Sequence, residues 1–370
     1  MNRYLLASAL CFWLLVGVGC SPFENIPTTL PHSVYYLTGE GAKAQIWKLE
    51  KDGQTSVQIT QQVGGISDFA VSQADGSLAF LNNGSLYLWR ADQASPQLLV
   101  DPSLASPPPG YEFPLEVGSP VFSPDGTILA YSLDGIHLFY LERREDELLL
   151  PSPGNLLGEP FVFVKEYYSP GPWSPDRKQM LIIMGYYEGD TLAVYEPGAD
   201  VPFRRIWSSG PVCCTYNWSA DSLTLLVGNP YFTVQPPGLW EYDTRTGQEN
   251  VLFHGIQEGG TWNFIGWPYR STSGEIHYFS AKVESLQDTI FANQPIIYNL
   301  VQERPDQGGP QLLRPEGFQV YDVLWSPDGS LVLILQQVDQ DKQLTLARMD
   351  GSPLQVLLEG PNIRLIQWGP

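Results

Sequence analysis

The sequence predicts an all-β protein, a β-propeller of seven four-stranded blades whose last blade is closed by strands from the N- and C-termini. Three observations support this fold. A turn signature recurs along the chain. Each copy follows the first of four short apolar segments, which together form one repeated unit. The two chain ends supply complementary parts of one such unit. Self-similarity at a period of about 40–50 residues is typical of repeat folds, including propellers. Six or eight blades stay open as alternatives, because some copies of the signature are loose.

The signature consists of an apolar anchor followed by Ser, then Pro or Ala, then Asp and often Gly. The clear copies are Phe122 to Gly126, Trp173 to Asp176, Trp218 to Asp221 and Trp325 to Gly329, and the looser copies have their anchors at Val71, Trp267 and Trp368. Pro sets φ near −65°, Asp bonds its own backbone, and Gly accepts the left-handed conformation that closes a turn. The repeated aspartates are therefore predicted to form turns and not to act as catalytic acids: Asp75, Asp125, Asp176, Asp221 and Asp328.

The segment 117–150 shows the four strands of one unit most clearly. An apolar run precedes the turn, Thr127–Tyr131 returns from it, and the Asp134-Gly135 hairpin leads into Ile136–Leu141. A charged turn then precedes the fourth strand, Leu148–Leu150. β-Branched and aromatic residues dominate these segments, as a half-buried pleated surface favours. No stretch after the N-terminal segment has an apolar period of 3.6 residues, so we expect few helices.

The two ends of the chain are each an incomplete unit. The segment 33–60 contains three strands and lacks a first, whereas Asn362–Pro370 contains only a first strand that ends in the anchor Trp368. We therefore predict that one blade combines both ends. Such pairing would cover sheet edges that otherwise invite aggregation.

The repeated signature resembles the WD40-like, or PD40, repeats of TolB-type β-propellers, over residues 33–370. The resemblance implies the propeller fold, but it leaves the activity open, since such propellers serve as protein-binding platforms, as lids on peptidases and as enzymes. Two departures are evident. The chain lacks room for the α/β domain that precedes the TolB propeller, and it lacks the Gly-x-Ser-x-Gly elbow of related peptidases.

The N-terminus is predicted to be a targeting segment. Arg3 precedes the apolar run Tyr4–Val18, and the small residue Gly19 precedes Cys20. We interpret residues 1–19 as a lipoprotein signal peptide, Cys20 as the lipidated residue and residues 20–32 as a tether, with an ordinary secretory signal as the alternative. We therefore predict an exported lipoprotein that is anchored to the membrane and lies in the periplasm or on the cell surface.

Composition restricts the partners. The chain has a net charge of −20, which would repel phosphate backbones and argues against nucleic acid. This charge favours solubility, or attraction for cationic partners or Ca²⁺. The histidines, His32, His137, His254 and His277, are scattered, so we expect no metal site and no cofactor. The adjacent Cys213 and Cys214 could form a strained disulfide or stay reduced. We expect a monomer.

A ligand site, if present, should lie at one mouth of the central channel, where the first strands begin and loops converge. Counting back four and three residues from each anchor identifies the polar candidates Asp68, Asn263, Tyr321, Asp322 and Arg364. The alternative is a channel that only holds water. Aromatic residues on four long connections could form a contact rim or fold back over the blades: Pro102–Glu116, Asn155–Ser169, Asn229–Gly238 and Glu258–Phe264.

No catalytic constellation is evident in the sequence. We therefore predict a non-enzymatic platform that binds a protein, peptide or glycan. The alternative is a lyase or hydrolase that acts on polysaccharide, with carboxylates and Arg364 at the channel mouth.

The lipidation hypothesis has a direct test. Cys20→Ala should move the protein from the membrane fraction to the soluble fraction, because the acyl chains would have no attachment point. Fractionation followed by immunoblotting measures this. Cys11→Ala, inside the predicted signal peptide, is the matched control and should leave the protein in the membrane fraction. Continued membrane association of Cys20→Ala would reject the anchor.

Overall fold

The computed structural model confirms the predicted all-β propeller. It describes residues 29–104, 116–152, 167–186, 189–200, 202–206, 214–231, 236–256, 260–287, 289–290, 294–304, 309–349 and 353–370. Within these ranges the strands form seven sheets of four antiparallel strands each. The helical segments described are two short 3₁₀ turns, Gly41–Lys43 and Pro102–Leu104.

The strands follow one another in blade order along the chain. The first half comprises β1 Val34–Thr38, β2 Gln45–Leu49, β3 Ser56–Gln58, β4 Phe69–Val71, β5 Leu78–Asn82, β6 Ser85–Trp89, β7 Gln97–Val100, β8 Gly118–Phe122, β9 Ile128–Ser132, β10 Gly135–Tyr140, β11 Glu145–Pro151, β12 Tyr167–Trp173, β13 Met180–Tyr186, β14 Gly189–Tyr195 and β15 Phe203–Arg205. The second half comprises β16 Thr215–Trp218, β17 Thr224–Asn229, β18 Gly238–Asp243, β19 Glu249–His254, β20 Trp262–Arg270, β21 Ile276–Val283, β22 Tyr298–Glu303, β23 Gln311–Phe318, β24 Val320–Trp325, β25 Leu331–Val338, β26 Asp341–Arg348, β27 Gln355–Gly360 and β28 Arg364–Trp368.

Blades 1 to 6 take four consecutive strands each, from β4–β7 to β24–β27, and blade 7 has the order β28-β1-β2-β3. The first strand of each blade lies innermost. Contacts between first strands join β4 to β8, β8 to β12, β16 to β20, β20 to β24, β24 to β28 and β28 to β4. The ring therefore places all first strands around a central channel.

The hydrophobic core lies between neighbouring blades. One cluster joins Phe264 and Phe279 of blade 5 to Val332 and Ile334 of blade 6, all of them fully buried. Comparable clusters join other neighbouring blades, including blades 7 and 1. Each blade thus buries its two faces against the next, and no blade has a closed core of its own.

The anchor tryptophans pack between the blades. Trp218 Nε1 donates a hydrogen bond of 3.1 Å to the Pro172 carbonyl of the preceding blade. Trp325 Nε1 donates to the Trp267 carbonyl at 3.0 Å, and Trp368 Nε1 donates to the Trp325 carbonyl at 2.7 Å. Each of these indoles therefore fills an apolar gap and satisfies its N–H on the neighbouring inner strand.

The recurrent aspartate forms the turn after each anchor, as predicted. In blade 6, Ser326 Oγ donates to Asp328 Oδ1 at 2.6 Å, and Ser326 Oγ in turn accepts the Leu331 N–H at 3.1 Å. The hydrogen bond from Ser326 is the main reason why the pKa of Asp328 lies below its ordinary value. The copies at Asp125, Asp176 and Asp221 have the same serine–carboxylate bond.

The chain ends close the ring in the predicted way. Strand β28 pairs antiparallel with β1, with Trp368 opposite Val34. Beyond the strand, the Gly369 N–H donates to the Ser33 carbonyl at 2.7 Å. One blade is thus held together by hydrogen bonds between segments from opposite ends of the sequence.

The closing strand is also bound to blade 1. The Gln367 side chain accepts the Val71 N–H at 3.1 Å and donates to the Phe69 carbonyl at 2.8 Å. A single amide therefore bridges the inner strands of blades 7 and 1.

Several predicted features fall outside the described residues. They include the signal peptide of residues 1–19, Cys20, most of the tether, and Cys213. Cys214 is described and lies half-buried against the core between blades 3 and 4. Among the helices in the described part of the chain, none has the length and apolar character needed to span a membrane.

The closure can be tested by truncation. Deleting Asn362–Pro370 should cause aggregation or a lower melting temperature, because β1 loses its partner and exposes an unpaired edge. Trp368→Phe is the matched smaller change: it keeps the strand and loses one buried hydrogen bond, at a cost of about 1 kcal/mol. Thermal unfolding and size-exclusion chromatography measure both. An unchanged melting temperature after the deletion would contradict the closure.

Candidate functional site at the channel mouth

The candidate site lies at the end of the ring where the first strands begin, which we call the mouth. Tyr321 and Asp322 open β24, Arg364 opens β28, Asn263 opens β20, and Asp68 directly precedes β4. Because every blade has the same strand order, these starts all face one end of the channel. The same end also carries the hairpins between second and third strands.

Backbone irregularities at the mouth change which side chains face the channel. The pairing of β24 with β25 shifts between Val320 and Asp322, which leaves Tyr321 as the extra residue of a bulge. The inner strands β8 and β28 have comparable shifts, where Ser119 and Leu365 adopt positive φ values of 49° and 50°. Bulges re-aim side chains and often occur next to binding sites. Strict alternation of inward and outward residues therefore fails here.

Asp322 is the most perturbed acid of the mouth. Burial raises its pKa to about 6, although a hydrogen bond from the Val323 N–H at 2.8 Å and the charge of Lys342 oppose this rise. A carboxyl group with such a pKa changes its charge close to neutral pH. Asp322 is half-buried on the inner strand, so the surrounding protein reduces the contact of its carboxylate with water.

Lys342 lies at the centre of a charged and aromatic cluster. Its Nζ is 4.0 Å from the centroid of the Tyr321 ring. Burial lowers the pKa of Lys342, the charge of Arg364 lowers it further, and the charge of Asp322 raises it. The structure thus groups three of the predicted residues, Tyr321, Asp322 and Arg364, around a lysine that the sequence analysis did not identify. We call these four residues the Lys342 cluster.

A second acidic group lies across the channel. Burial is the main cause of the raised pKa of Tyr216, and the charges of Cys214, Asp190 and Asp322 add to it in that order. Burial also raises the pKa of Asp190. Tyr216 and Asp190 were missed by sequence reasoning, because one lies two residues before its anchor and the other lies in a hairpin between outer strands. No turn motif marks either position.

The remaining two predicted residues lie on other blades of the mouth. Burial raises the pKa of Asp68, and hydrogen bonds from the N–H groups of Phe69, at 2.8 Å, and Ser119 oppose the rise. Asp68 therefore links blades 1 and 2. Asn263 is half-buried, and its side chain makes no hydrogen bond to another residue in the described ranges. Within the described ranges, no hydrogen bond or ion pair joins Asp68 or Asn263 to the Lys342 cluster.

A cavity of about 380 Å³ opens beside Arg364 between blades 7, 1 and 2. Its lining is Gly41, Gly64, Gly65, Ile66, Ser67, Asn83, Gly84, Glu116, Val117 and Arg364. Gly64 and Gly65 have φ values of 93° and 79°, and a Cβ on either residue would collide with Asn83 or with the Gly41 carbonyl. The glycines therefore let the backbone approach closely and leave the space open. Arg364 Nη1 donates to the Gly39 carbonyl at 3.0 Å.

The predicted aromatic rim is only partly described. Tyr168 is buried in the core between blades 2 and 3, and the Tyr231 ring lies edge-on to Trp267 with centroids 6.4 Å apart. These two side chains fold back on the blades. Tyr111 and Phe232, together with most of the connections that carry them, fall outside the described residues. Within the described ranges, no three His, Cys, Asp or Glu side chains converge to form a metal site.

The pKa of Asp322 predicts a pH-dependent stability difference. Because the folded pKa of about 6 exceeds the ordinary value of 3.8, the folded state binds the proton more tightly, and stability falls as pH rises through this window. Asp322→Asn should therefore gain stability relative to wild type between pH 4 and 7, by roughly 1–2 kcal/mol. Urea unfolding at several pH values measures the difference.

Asp339→Asn is the matched control, since it removes an exposed carboxylate from the hairpin of the same blade. A free-energy difference between Asp322→Asn and wild type that stays constant with pH would contradict a raised pKa at Asp322.

No protein-family model matches this chain, and no curated protein matches it. Among solved structures, the periplasmic gluconolactonase PpgL of Pseudomonas aeruginosa is similar over 92% of this chain and 99% of its own, with a TM-score of 0.56 and 12% identity. TolB from Acinetobacter baumannii is similar over 92% of this chain and 67% of its own, with a TM-score of 0.51 and 14% identity.

A prolyl endopeptidase is similar over 80% of this chain, with a TM-score of 0.52 and 12% identity, but this similarity covers only 43% of the endopeptidase. At these identities the similarity shows the fold alone. The chain is therefore a seven-bladed β-propeller, similar in fold to TolB and to enzymes that contain the same ring.

Proposed function

We propose that this chain is a non-enzymatic binding platform that holds a protein, peptide or glycan at the mouth of its propeller. In this proposal, residues 33–370 form the propeller, and the chain is exported and tethered to the membrane through a lipid on Cys20. The observation that carries the proposal is the Lys342 cluster, in which Tyr321, Asp322 and Arg364 surround one lysine.

The composition of the cluster suits recognition. Tyr321 is 49% exposed although its ring contacts Lys342, so it presents an amphipathic aromatic surface at the mouth. Exposed aromatics next to charged groups are frequent among residues that contribute most to binding. Asp322 and Lys342 supply charges of both signs, which orient a partner and exclude unsuitable ones.

The location has independent support. The similar fold of a TolB and of a gluconolactonase that is named periplasmic favours a place outside the cytoplasm. The TolB-type resemblance of the repeats also favours a protein-binding role. The predicted signal peptide agrees with both. We propose a monomer, since each blade packs on its neighbours within one closed ring.

One observation favours a second candidate, a polysaccharide lyase or hydrolase at the same mouth. The charges of Asp190 and Asp322 both contribute to the raised pKa of the Tyr216 hydroxyl, and the pKa of Asp322 is about 6. A carboxyl group that titrates near neutral pH can act as a general acid. Tyr216, whose pKa both carboxylate charges influence, could then take part in proton transfer to or from a sugar.

The platform is tested by pull-down from an envelope extract with the detergent-solubilised chain. Asp322→Ala and Arg364→Ala should each reduce the captured partner about fivefold or more, since each removes a charge from the Lys342 cluster. Glu142→Ala, which removes an exposed carboxylate from the turn between the third and fourth strands of blade 2, at the other end of the ring, is the control. Melting temperatures confirm that the variants are folded.

Capture that is unchanged in both variants would reject the mouth as the binding surface. Shortening of a polysaccharide by the wild-type chain, abolished in Asp322→Ala, would instead establish the enzymatic candidate.

A further inference from the structure

We propose that the mouth holds its partner through a single carboxylate that binds between Lys342 Nζ and the Arg364 guanidinium, and that this carboxylate belongs to a peptide. It is either the C-terminal carboxylate or an acidic side chain of a neutral or basic segment. This inference rests on the proposed function and specifies the chemistry of the ligand at that site.

Lys342 and Arg364 lack the ion pairs that many other cations of the chain have. Within the described ranges, neither one has a carboxylate within 4 Å, whereas Arg270 lies 2.6 Å from Glu241. Acidic residues outnumber basic ones by 40 to 20. In a chain with this excess of carboxylates, two unpaired cations at one site point to an anion supplied from outside.

Lys342 packs on Tyr321 of β24, and β24 contacts β28, which begins at Arg364, so the two cations lie on adjoining parts of the mouth. The charge of Arg364 contributes to the lowered pKa of Lys342, and burial is the larger cause. Asp322 attracts Lys342, but it lies beyond ion-pair distance and its Oδ1 accepts the Val323 N–H. An anion between the two cations would offset their mutual repulsion. It would also accept hydrogen bonds from both, in place of the water that burial excludes.

Arg364 has the geometry to receive such a group. Among the described residues, one hydrogen bond holds its guanidinium, from Nη1 to the Gly39 carbonyl at 3.0 Å, so the remaining donors of the planar fork are not used within that part of the chain. The guanidinium also lines the cavity of about 380 Å³. This volume suits one residue of a ligand and lies at the small end of the range for binding pockets.

The surroundings limit the ligand to few negative charges. Glu116 lines the same cavity, and Asp68 and Asp190 lie at the same mouth. Together with the net charge of −20, these carboxylates repel a chain that carries a charge on every unit, such as a polyuronate. A peptide with one carboxylate and several basic residues has a net positive charge, so the acidic surface attracts it while its carboxylate pairs with the two cations.

The test uses two immobilised hexapeptide libraries, one with free C-termini and one amidated, incubated with the detergent-solubilised chain. Lys342→Gln and Arg364→Gln should each weaken binding of the selected peptides about tenfold. The Lys342 side chain makes no hydrogen bond to another described residue. Lys342→Gln therefore keeps the test valid even if Arg364→Gln disturbs the contact to Gly39. Lys43→Gln removes an exposed positive charge near the same mouth and is the matched control.

The libraries separate the two sources of the carboxylate. Binding only to free C-termini identifies the chain end, whereas enrichment of one Asp or Glu in both libraries identifies a side chain. Selected peptides without a carboxylate, or affinities unchanged in both glutamine variants, would overturn the inference. Tight binding of oligogalacturonate that depends on both cations would also overturn it, in favour of a glycan.

Failure of this inference is distinguishable from failure of the proposed function. If the envelope partner is lost in Asp322→Ala and retained in both glutamine variants, the platform stands and the carboxylate site is wrong. If no partner depends on any residue of the Lys342 cluster, the platform itself is wrong.

Discussion

The structure depends on the pairing of β28 with β1, which turns a row of seven sheets into a ring. Each blade buries its faces only against its neighbours, so an open row would leave two apolar faces in water. The pairing of Trp368 with Val34 and the hydrogen bonds of Gln367 to blade 1 close the row, so that both of these apolar faces are covered. The channel and its mouth exist only because this seam is closed.

The ring also explains the electrostatics of the mouth. Seven inner strands bring their first residues close to one axis, so side chains far apart in sequence share a narrow and poorly solvated space. Burial is accordingly the main cause of the raised pKa values of Asp68, Asp190 and Asp322 and of the lowered pKa of Lys342. At the turns between first and second strands, by contrast, the hydrogen bond from Ser326 lowers the pKa of Asp328. One fold thus produces opposite shifts in the same residue type.

The turn residues and the candidate site differed in how far they could be predicted. The role of Asp328 was predictable because Ser326, Asp328 and Leu331 interact over five residues of chain. The starts of the inner strands were also predictable, since they lie at a constant distance from the anchors. Lys342, Tyr216 and Asp190 were not, because each reaches the mouth from a position without a motif. Bulges such as that at Tyr321 further obscure which residue faces inward.

The sequence by itself determined the all-β class, the repeated four-strand unit, the turns and the complementary chain ends, because these features depend on local backbone preferences and on short-range hydrogen bonds. Tertiary structure alone decided which charges meet. Lys342 and Arg364 influence each other across the boundary between blades 6 and 7, and the glycine-lined cavity forms where blades 7, 1 and 2 converge. Burial and Coulomb interactions depend on distances in space, which the ring sets and the order of residues does not show.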